Sequence, residues 1–475
     1  MAGTTTLFKA RADEAIANVG LQTALAELPS GFAANRARAK AALPEFESLR
    51  DAAKAIKDHT LSHLDHYLEA FEASAAAAGS KVHWASTPEH ARAKILEICT
   101  SANARLVTKG KSMVSEEIGL NEHLEKAGLE VVETDLGEYL IQLKHEAPSH
   151  IIAPAIHLTV ADVESRFREA HTHLAPDRVF NEPADLVAEA RQILRQKFLT
   201  ADVGITGANF LIAETGSSII VTNEGNGDLT QLLPKVHIVI AAIDKVLPTL
   251  ADSAVLMRLL PRSATGQDIT SYITFTTGPR RAGEHEGPEA VHIIILDNGR
   301  SELLASDKRE VLRCIRCGAC MNHCPVYAAI GGHAYGTVYP GPIGAALMPG
   351  LSKMHDNTHL AGASTFCGAC ADVCPVKIPL PGIMRKWRNE DFAAKSGSFF
   401  QRTGLSMWAA LAKRPSLYHP VMRLSIAALS RLGRRRGAFK HLPFASGWTQ
   451  HRDLAAPQGR TFQQLWAERE RGVPE

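Results

Sequence analysis

The sequence predicts an α/β domain joined to an α-helical, two-cluster ferredoxin-like domain and a helical C-terminal extension. Three observations carry this expectation. Between residues 86 and 300, strand and helix patterns alternate, as in a mostly parallel sheet covered by helices. Seven of the 8 cysteines fall between Cys314 and Cys374, in two runs that echo each other. From about residue 395 the composition shifts to amphipathic helical stretches rich in arginine. The expected organisation is a helical N-terminal region (1–80), the α/β domain (81–300), the ferredoxin-like domain (301–390) and the extension (391–475).

Composition narrows the function classes. A chain of 475 residues with 45% hydrophobic residues has room for two or three domains and a large core. A net charge of +2 gives no global field for nucleic acid, and none is expected as a partner. The first twenty residues mix Lys9, Arg11, Asp13 and Glu14, unlike a secretory signal. No run of about eighteen uncharged apolar residues would span a bilayer. A cytoplasmic location is expected, where reducing conditions suit thiolate ligands.

Taken in order, residues 1–80 are alanine-rich with helical spacing at Phe46, Leu49, Ala53 and Ile56, and should cover the next domain. Thr87 and Pro88 read as N-cap and first position of a helix reaching about Asn103. Strands are expected at 104–108, 130–134 and 149–154, a loop at 109–112 and helices at 114–127 and 182–198. Residues 211–222 read as a strand pair turned at Thr215 and Gly216, and Asn226-Gly227 as a turn. The apolar runs 236–242 and 292–296 read as interior strands. Cys99, in an apolar helical pattern, reads as an inert core thiol.

Cys314, Cys317, Cys320 and Cys324-Pro325 form C-x2-C-x2-C-x3-C-P, the ferredoxin pattern for a cubane cluster. Three closely spaced thiolates wrap one cube, with Gly318 and Gly368 giving permissive backbone. The proline-flanked fourth cysteine ligates the other cube. Two [4Fe–4S] clusters follow: the first on Cys314, Cys317, Cys320 and Cys374, the second on Cys367, Cys370 and Cys324. Alignment of the runs puts Ser364 opposite Cys314, so the second cluster lacks one cysteine. Ser364, another oxygen or nitrogen donor, or water are the alternatives for its fourth iron, and loss of that iron would leave [3Fe–4S]. His355 and His359 are further candidates, against a reading as loop-surface histidines. Structural zinc prefers paired C-x2-C knuckles and fits the triplet poorly. Disulfides would need an oxidising compartment.

The glycine- and proline-rich stretch 325–363 is expected to fold as a loop over the clusters, with Tyr327, Tyr335 and Tyr339 as shields or simple packing residues. A helix should open near Gly382 and carry Met384, Trp387 and Arg388. Beyond it, 405–411 and 421–432 read as helices split by Pro415 and Pro420, and 462–468 as a short helix. Arg431, Arg434, Arg435 and Arg436 read either as a surface for an acidic partner or anionic membrane, or as a solvated helix end.

Several longer motifs carry a family resemblance. Residues 111–121, 133–139, 205–210, 213–216 and 222–227 resemble the LUD domain of lactate utilization proteins. The cysteine runs, with 331–336, 339–344 and 375–380, resemble the lactate utilization protein B family. The resemblance implies a LUD domain similar to the sugar-isomerase and CoA-transferase fold, and a second cysteine run that lacks its first cysteine throughout the family. It also implies electron transfer during oxidation of L-lactate to pyruvate, together with two sister subunits, a cysteine-rich iron–sulfur protein and a LUD-only protein. The electron acceptor is not implied. By analogy with CoA-transferases, Glu214 is a candidate nucleophile; the alternative is a carboxylate that holds the turn at Gly216. Asn223, Glu224 and Asn226 are either cleft residues beside it or turn residues. Peripheral contact with the inner face of the cell membrane is a further expectation.

Overall fold

The computed structural model describes residues 7–351, 357–395, 399–442, 449 and 452–471. Ten strands precede the cysteine runs. They are β1 (Lys81–Ala85), β2 (Leu106–Gly110), β3 (Glu130–Glu133), β4 (Val203–Gly207), β5 (Phe210–Ile212), β6 (Ser217–Thr222), β7 (Val236–Ala242), β8 (Val246–Leu247), β9 (Tyr272–Thr276) and β10 (Ala290–Leu296). Six form a parallel sheet in the order β1-β10-β7-β4-β2-β3. Helices cover both faces, which is why β7 and β10 are apolar without alternation. Ile238, Ile240 and Ala242 of β7 join the core under the helix Pro88–Ser101, and Val239 and Ala241 join the core under Leu64–Ala77. Thr87 caps Pro88–Ser101 by accepting the His90 N–H at 3.3 Å. Cys99 lies in that core, and burial pushes its thiol up to about 12.

The second sheet has the order β8-β5-β6-β9, with β5 and β6 as an antiparallel pair. Their turn passes through Gly216 at φ +67°, where a Cβ would lie 2.2 Å from the Ala75 nitrogen. Only glycine tolerates both the conformation and the approach. Beyond β2 and β3, the helices Leu136–Leu143, Val160–Ala170 and Pro183–Thr200 close a separate core around Phe167 and Leu194.

The largest core belongs to the region of the cysteine runs. The N-terminal helices cover it as well as the α/β domain. The helix Phe46–Ser62 packs on both Leu250–Ala264 and Arg309–Arg313, and Phe8–Ala17 packs on Pro325–Ile330. The chain divides after Asp391 into two compact units. The second contains the helices Phe399–Ala412 and Pro415–Gly433, a two-strand ribbon and the helix Phe462–Glu470, whose capping box is built on Thr461.

Several local expectations are corrected. Residues 149–154 form no strand; Ser149 N–H bonds back to the Pro154 carbonyl, and the segment is buried against the cysteine region instead of in a sheet. Lys109 and Gly110 end β2 rather than forming a loop. The helix expected over 114–127 breaks at Gly119 (φ +63°) into Met113–Glu117 and Leu120–Lys126. Asn226 starts the helix Asn226–Leu232, its side chain donating to the Thr134 carbonyl at 3.1 Å. The stretch after Pro325 is more helical than its composition suggests. Gly341–Leu351 is a helix whose glycines permit close contacts, a Cβ at Gly350 lying 2.3 Å from Leu303. Pro420 sits inside Pro415–Gly433 and does not split it. His355 lies outside the described residues.

The Gly216 turn gives a direct test of the packing. Gly216→Ala should destabilise the protein by ~2 kcal/mol or more through positive φ and backbone collision, seen as a lowered midpoint in anaerobic thermal unfolding. Gly225→Ala, with open space at its Cβ, should leave the midpoint nearly unchanged.

Candidate metal centre

The two cysteine runs share one backbone signature. Arg316 and Gly318 take φ of +60° and +73°, and Phe366 and Gly368 take +56° and +90°. Each run then enters a single helical turn, Ala319–Asn322 or Ala369–Asp372. Cys314 Sγ accepts the Arg316 N–H at 3.4 Å, and Ser364 Oγ accepts the Phe366 N–H at 3.1 Å. Ser364 therefore occupies the structural position of Cys314.

The runs interlock. Cys314, Cys317, Cys320 and Cys374 line one pocket with Ile151, Ile315, Ile343 and Val376. Cys324, Cys367 and Cys370 line a second with Ser364. Each pocket thus draws one cysteine from the opposite run. Cys99 lies apart in the sheet core, and His359 packs near Phe8, with ring centroids 6.5 Å apart.

Most of these thiols resist ionisation. Burial, followed by the neighbouring Cys374, pushes Cys317 up to about 12; burial pushes Cys370 to about 12 and Cys374 to about 11. Cys320 is raised well above its usual value by burial and then by Cys317. Cys324 is also raised by burial. Cys367 is lowered, first by a hydrogen bond from Thr365. Four crowded thiolates need a cation among them, and soft sulfur donors select iron–sulfur or zinc chemistry. The donor set fits an iron–sulfur group.

Cations surround the first pocket. Lys57 and Lys245 are buried and are pushed down to about 8 by burial, against the pull of Asp244 and Cys314. Lys57 Nζ donates to the Asp244 carbonyl at 2.5 Å. Arg316 lies 4.4 Å over the Tyr339 ring. Arg50 donates to the carbonyls of Asp372 (2.8 Å) and Cys374 (2.7 Å), and Arg36 to that of Val373 (2.8 Å). Tyr327, Tyr335 and Tyr339 are fully buried. Tyr327 donates to the Ser149 carbonyl at 2.7 Å and Tyr339 to Glu117 at 2.8 Å. Tyr335 is pushed well up by burial and then by Cys324.

Beside this region lies a cleft of about 1460 Å³, bounded by the N-terminal helices, the carboxyl edge of the large sheet and residues 331–338. Its walls include Glu116, Glu117, Glu133, Glu138 and Glu146. Buried Lys109 pairs with Glu116 and Glu133 at 2.6 Å each; those carboxylates outweigh burial and push its pKa up. Burial, then Glu133 and Asp135, push Glu138 well up. Burial opposes ionisation of Glu117, yet Arg300 at 2.6 Å holds it below its usual value. The sequence reading did not single out this cleft. The available signal was the acidic residues at the end of β3 and in the short helices that follow β2 and β3, at the edge where open parallel sheets bind ligands.

Glu214 sits elsewhere. It is exposed, and its carboxylate accepts the Leu250 N–H at 2.9 Å, at the start of Leu250–Ala264. Asn223 pairs with Gln267 at 3.0 Å and Glu224 with Lys111 at 3.1 Å. With Asn226 bound to Thr134, these side chains serve separate local contacts rather than one constellation.

Comparison with known proteins matches this architecture piece by piece. The LUD domain matches residues 68–296, the 4Fe-4S dicluster domain 310–378 and the C-terminal domain of lactate utilisation protein B 391–471. The chain is 41% identical to lactate utilization protein B of Bacillus subtilis (strain 168), over 98% of this chain and 97% of that one. It is 40% identical to the Bacillus velezensis protein of the same name, over 98% of both. It is 42% identical to the uncharacterized electron transport protein YkgF of Escherichia coli (strain K12), over 96% of this chain and 95% of that one. A LUD domain with a parallel-sheet core, a dicluster-type iron–sulfur domain and a helical C-terminal domain follow one another in a single chain, which therefore belongs to the lactate utilization protein B family.

Proposed function

We propose that this chain is the electron-relay subunit of an assembly that oxidises L-lactate to pyruvate, holding two [4Fe–4S] clusters crosswise between its cysteine runs. Cys314, Cys317, Cys320 and Cys374 would hold the first; Cys324, Cys367 and Cys370 the second, with Ser364 as fourth donor and [3Fe–4S] as the alternative. The observation that carries this reading is the division of seven thiols into a four and a three, each borrowing one from the other run. Such clusters supply reversible one-electron chemistry. Taking a hydroxyl to a ketone removes two electrons and two protons, which two one-electron centres match. The names of the relatives, lactate utilization and electron transport, support the reading. The partners are the two sister subunits, the cysteine-rich protein and the LUD-only protein.

The residues of this chain set the working conditions. Lys57, Lys245 and Arg316 put positive charge beside Cys314, which favours added negative charge and raises the potential there. The N–H groups of Arg316 and Ile378, each 3.4 Å from a cysteine sulfur, act in the same direction. Ile151 and Ile343 line the first pocket and exclude water. Arg36 and Arg50 fix the backbone of the second run.

The alternative is that the LUD domain, of sugar-isomerase and CoA-transferase-like fold, acts on an organic acid or thioester with Glu214 as nucleophile, the clusters being structural or sensory. The Leu250 N–H held by its carboxylate favours a positioning role instead.

The second unit supplies the expected membrane contact. Between Asp391 and Asp453 the sequence has no acidic residue and eleven lysines and arginines. Its helices expose Phe400 (87%), Leu424 (73%) and Trp408 (61%). Cationic helices with exposed aromatics suit the surface of an anionic bilayer. Among the described residues no helix is long and apolar enough to cross a membrane.

Three outcomes are expected. Anaerobically purified protein should contain about eight irons, or about seven with a three-iron second cluster, and give EPR signals on dithionite reduction; zinc in place of iron, or no change on reduction, would overturn the relay. Glu214→Gln should leave lactate oxidation by the reconstituted assembly within about twofold, since the covalent route alone needs its carboxylate. Flotation with phosphatidylglycerol vesicles should recover the protein at low salt, and Arg434→Glu/Arg435→Glu/Arg436→Glu should release it.

A further inference from the structure

The wall of the cleft holds a second cluster of ligating side chains, separate from the cysteines. Glu146, His157 and His333 each offer one ligand atom, all within 4.8 Å of one another. Glu146 and His157 come from the segment that follows Leu136–Leu143. His333 comes from the glycine-flanked stretch between the cysteine runs. All three line the cleft.

Hydrogen bonds orient both imidazole rings. Ser149 Oγ donates its proton to the Pro154 carbonyl at 3.1 Å, so it accepts from His157 Nδ1 at 2.8 Å. His157 Nε2 faces Glu146 Oε2 at 2.8 Å. A proton on His157 Nε2 satisfies this contact, and a divalent ion would displace it. His333 is arranged alike: its Nε2–H donates to the Ala147 carbonyl at 2.7 Å, leaving Nδ1 with its lone pair. The two rings lie 4.5 Å apart. Imidazoles each tied through one nitrogen to an oxygen are the usual outer support of a metal site.

We propose that Glu146, His157 and His333 bind a divalent transition-metal ion of the zinc class, bridging the LUD domain to the segment between the cysteine runs. Ligands held ~2.0–2.1 Å from a tetrahedral ion stand about 3.3 Å apart, so atoms within 4.8 Å of one another draw together on binding. The donors are two nitrogens and one carboxylate, a set that suits zinc and its neighbours over magnesium or calcium. A three-ligand site leaves a coordination position, and the cleft supplies space there for water or a small carboxylate. The ion also fastens the Gly331–Gly332 bend to residues 146–149, where a Cβ at Gly332 would meet the Ser149 carbonyl oxygen at 1.8 Å.

The test is calorimetric titration of Zn²⁺ into anaerobic, chelator-washed holoprotein whose iron content has been verified. One equivalent should bind, and His333→Asn and His157→Asn should each weaken it more than about tenfold while the visible cluster absorption stays unchanged. His285→Asn, on an exposed loop, should bind as the native chain does. Because His333 is exposed, its variant reports on binding even where His157→Asn perturbs folding. Zinc K-edge spectra should show only nitrogen and oxygen neighbours. No zinc binding, equal binding by His333→Asn, or a sulfur shell near ~2.3 Å would each overturn the site.

Discussion

The constraint on which this structure depends is the burial of thiols that cannot be satisfied within one stretch of chain. The first run supplies three sulfurs to its own pocket and sends Cys324 to the other; the second run sends Cys374 back. Neither pocket closes unless the two runs meet. Residues between them must return on themselves, which explains the bends at Gly331, Gly336 and Gly341, all at positive φ, and the helix packed through Gly344 and Gly350. Tyr327 and Tyr339 of this segment reach outward with their hydroxyls to Ser149 and Glu117. The metal region is thereby joined to the α/β domain by specific polar contacts as well as apolar surface.

Charge organises the same region. Thiolates crowded in an apolar pocket repel one another, and the chain answers with cations from distant parts of the sequence. Lys57 and Arg50 come from one N-terminal helix, Arg36 from another, Lys245 from the helical turn between β7 and β8 and Arg316 from the run itself. The Glu117–Arg300–Asp244 chain, with contacts of 2.6 and 3.0 Å, keeps these charges balanced in the interior. The N-terminal helices are thus part of the metal region, not only a cover for the sheet.

Much of this was legible in the sequence. The cysteine spacing, the stand-in at Ser364, the Thr87 cap and the interior strands β7 and β10 all depend on short-range patterns, which sequence displays directly. What escaped depends on tertiary partners. Residues 149–154 carry the apolar signature of a strand because they are buried, but against the cysteine region. Asn226-Gly227 has turn chemistry, yet Asn226 finds Thr134 and starts a helix. Glycines in 341–350 look like breakers and are instead small residues at close helix contacts. The acidic cleft was invisible because its carboxylates come from separate strand ends, which only the parallel topology brings together.

The crosswise exchange of cysteines also bears on how the protein is made. During synthesis the first run emerges from the ribosome with one of its four sulfurs still untranslated, so its pocket stays open until Cys374 has appeared. The arginines that clamp the second run, Arg36 and Arg50, precede it in the chain. A group held by all four sulfurs of the first pocket can therefore be completed only after residue 374 has been made.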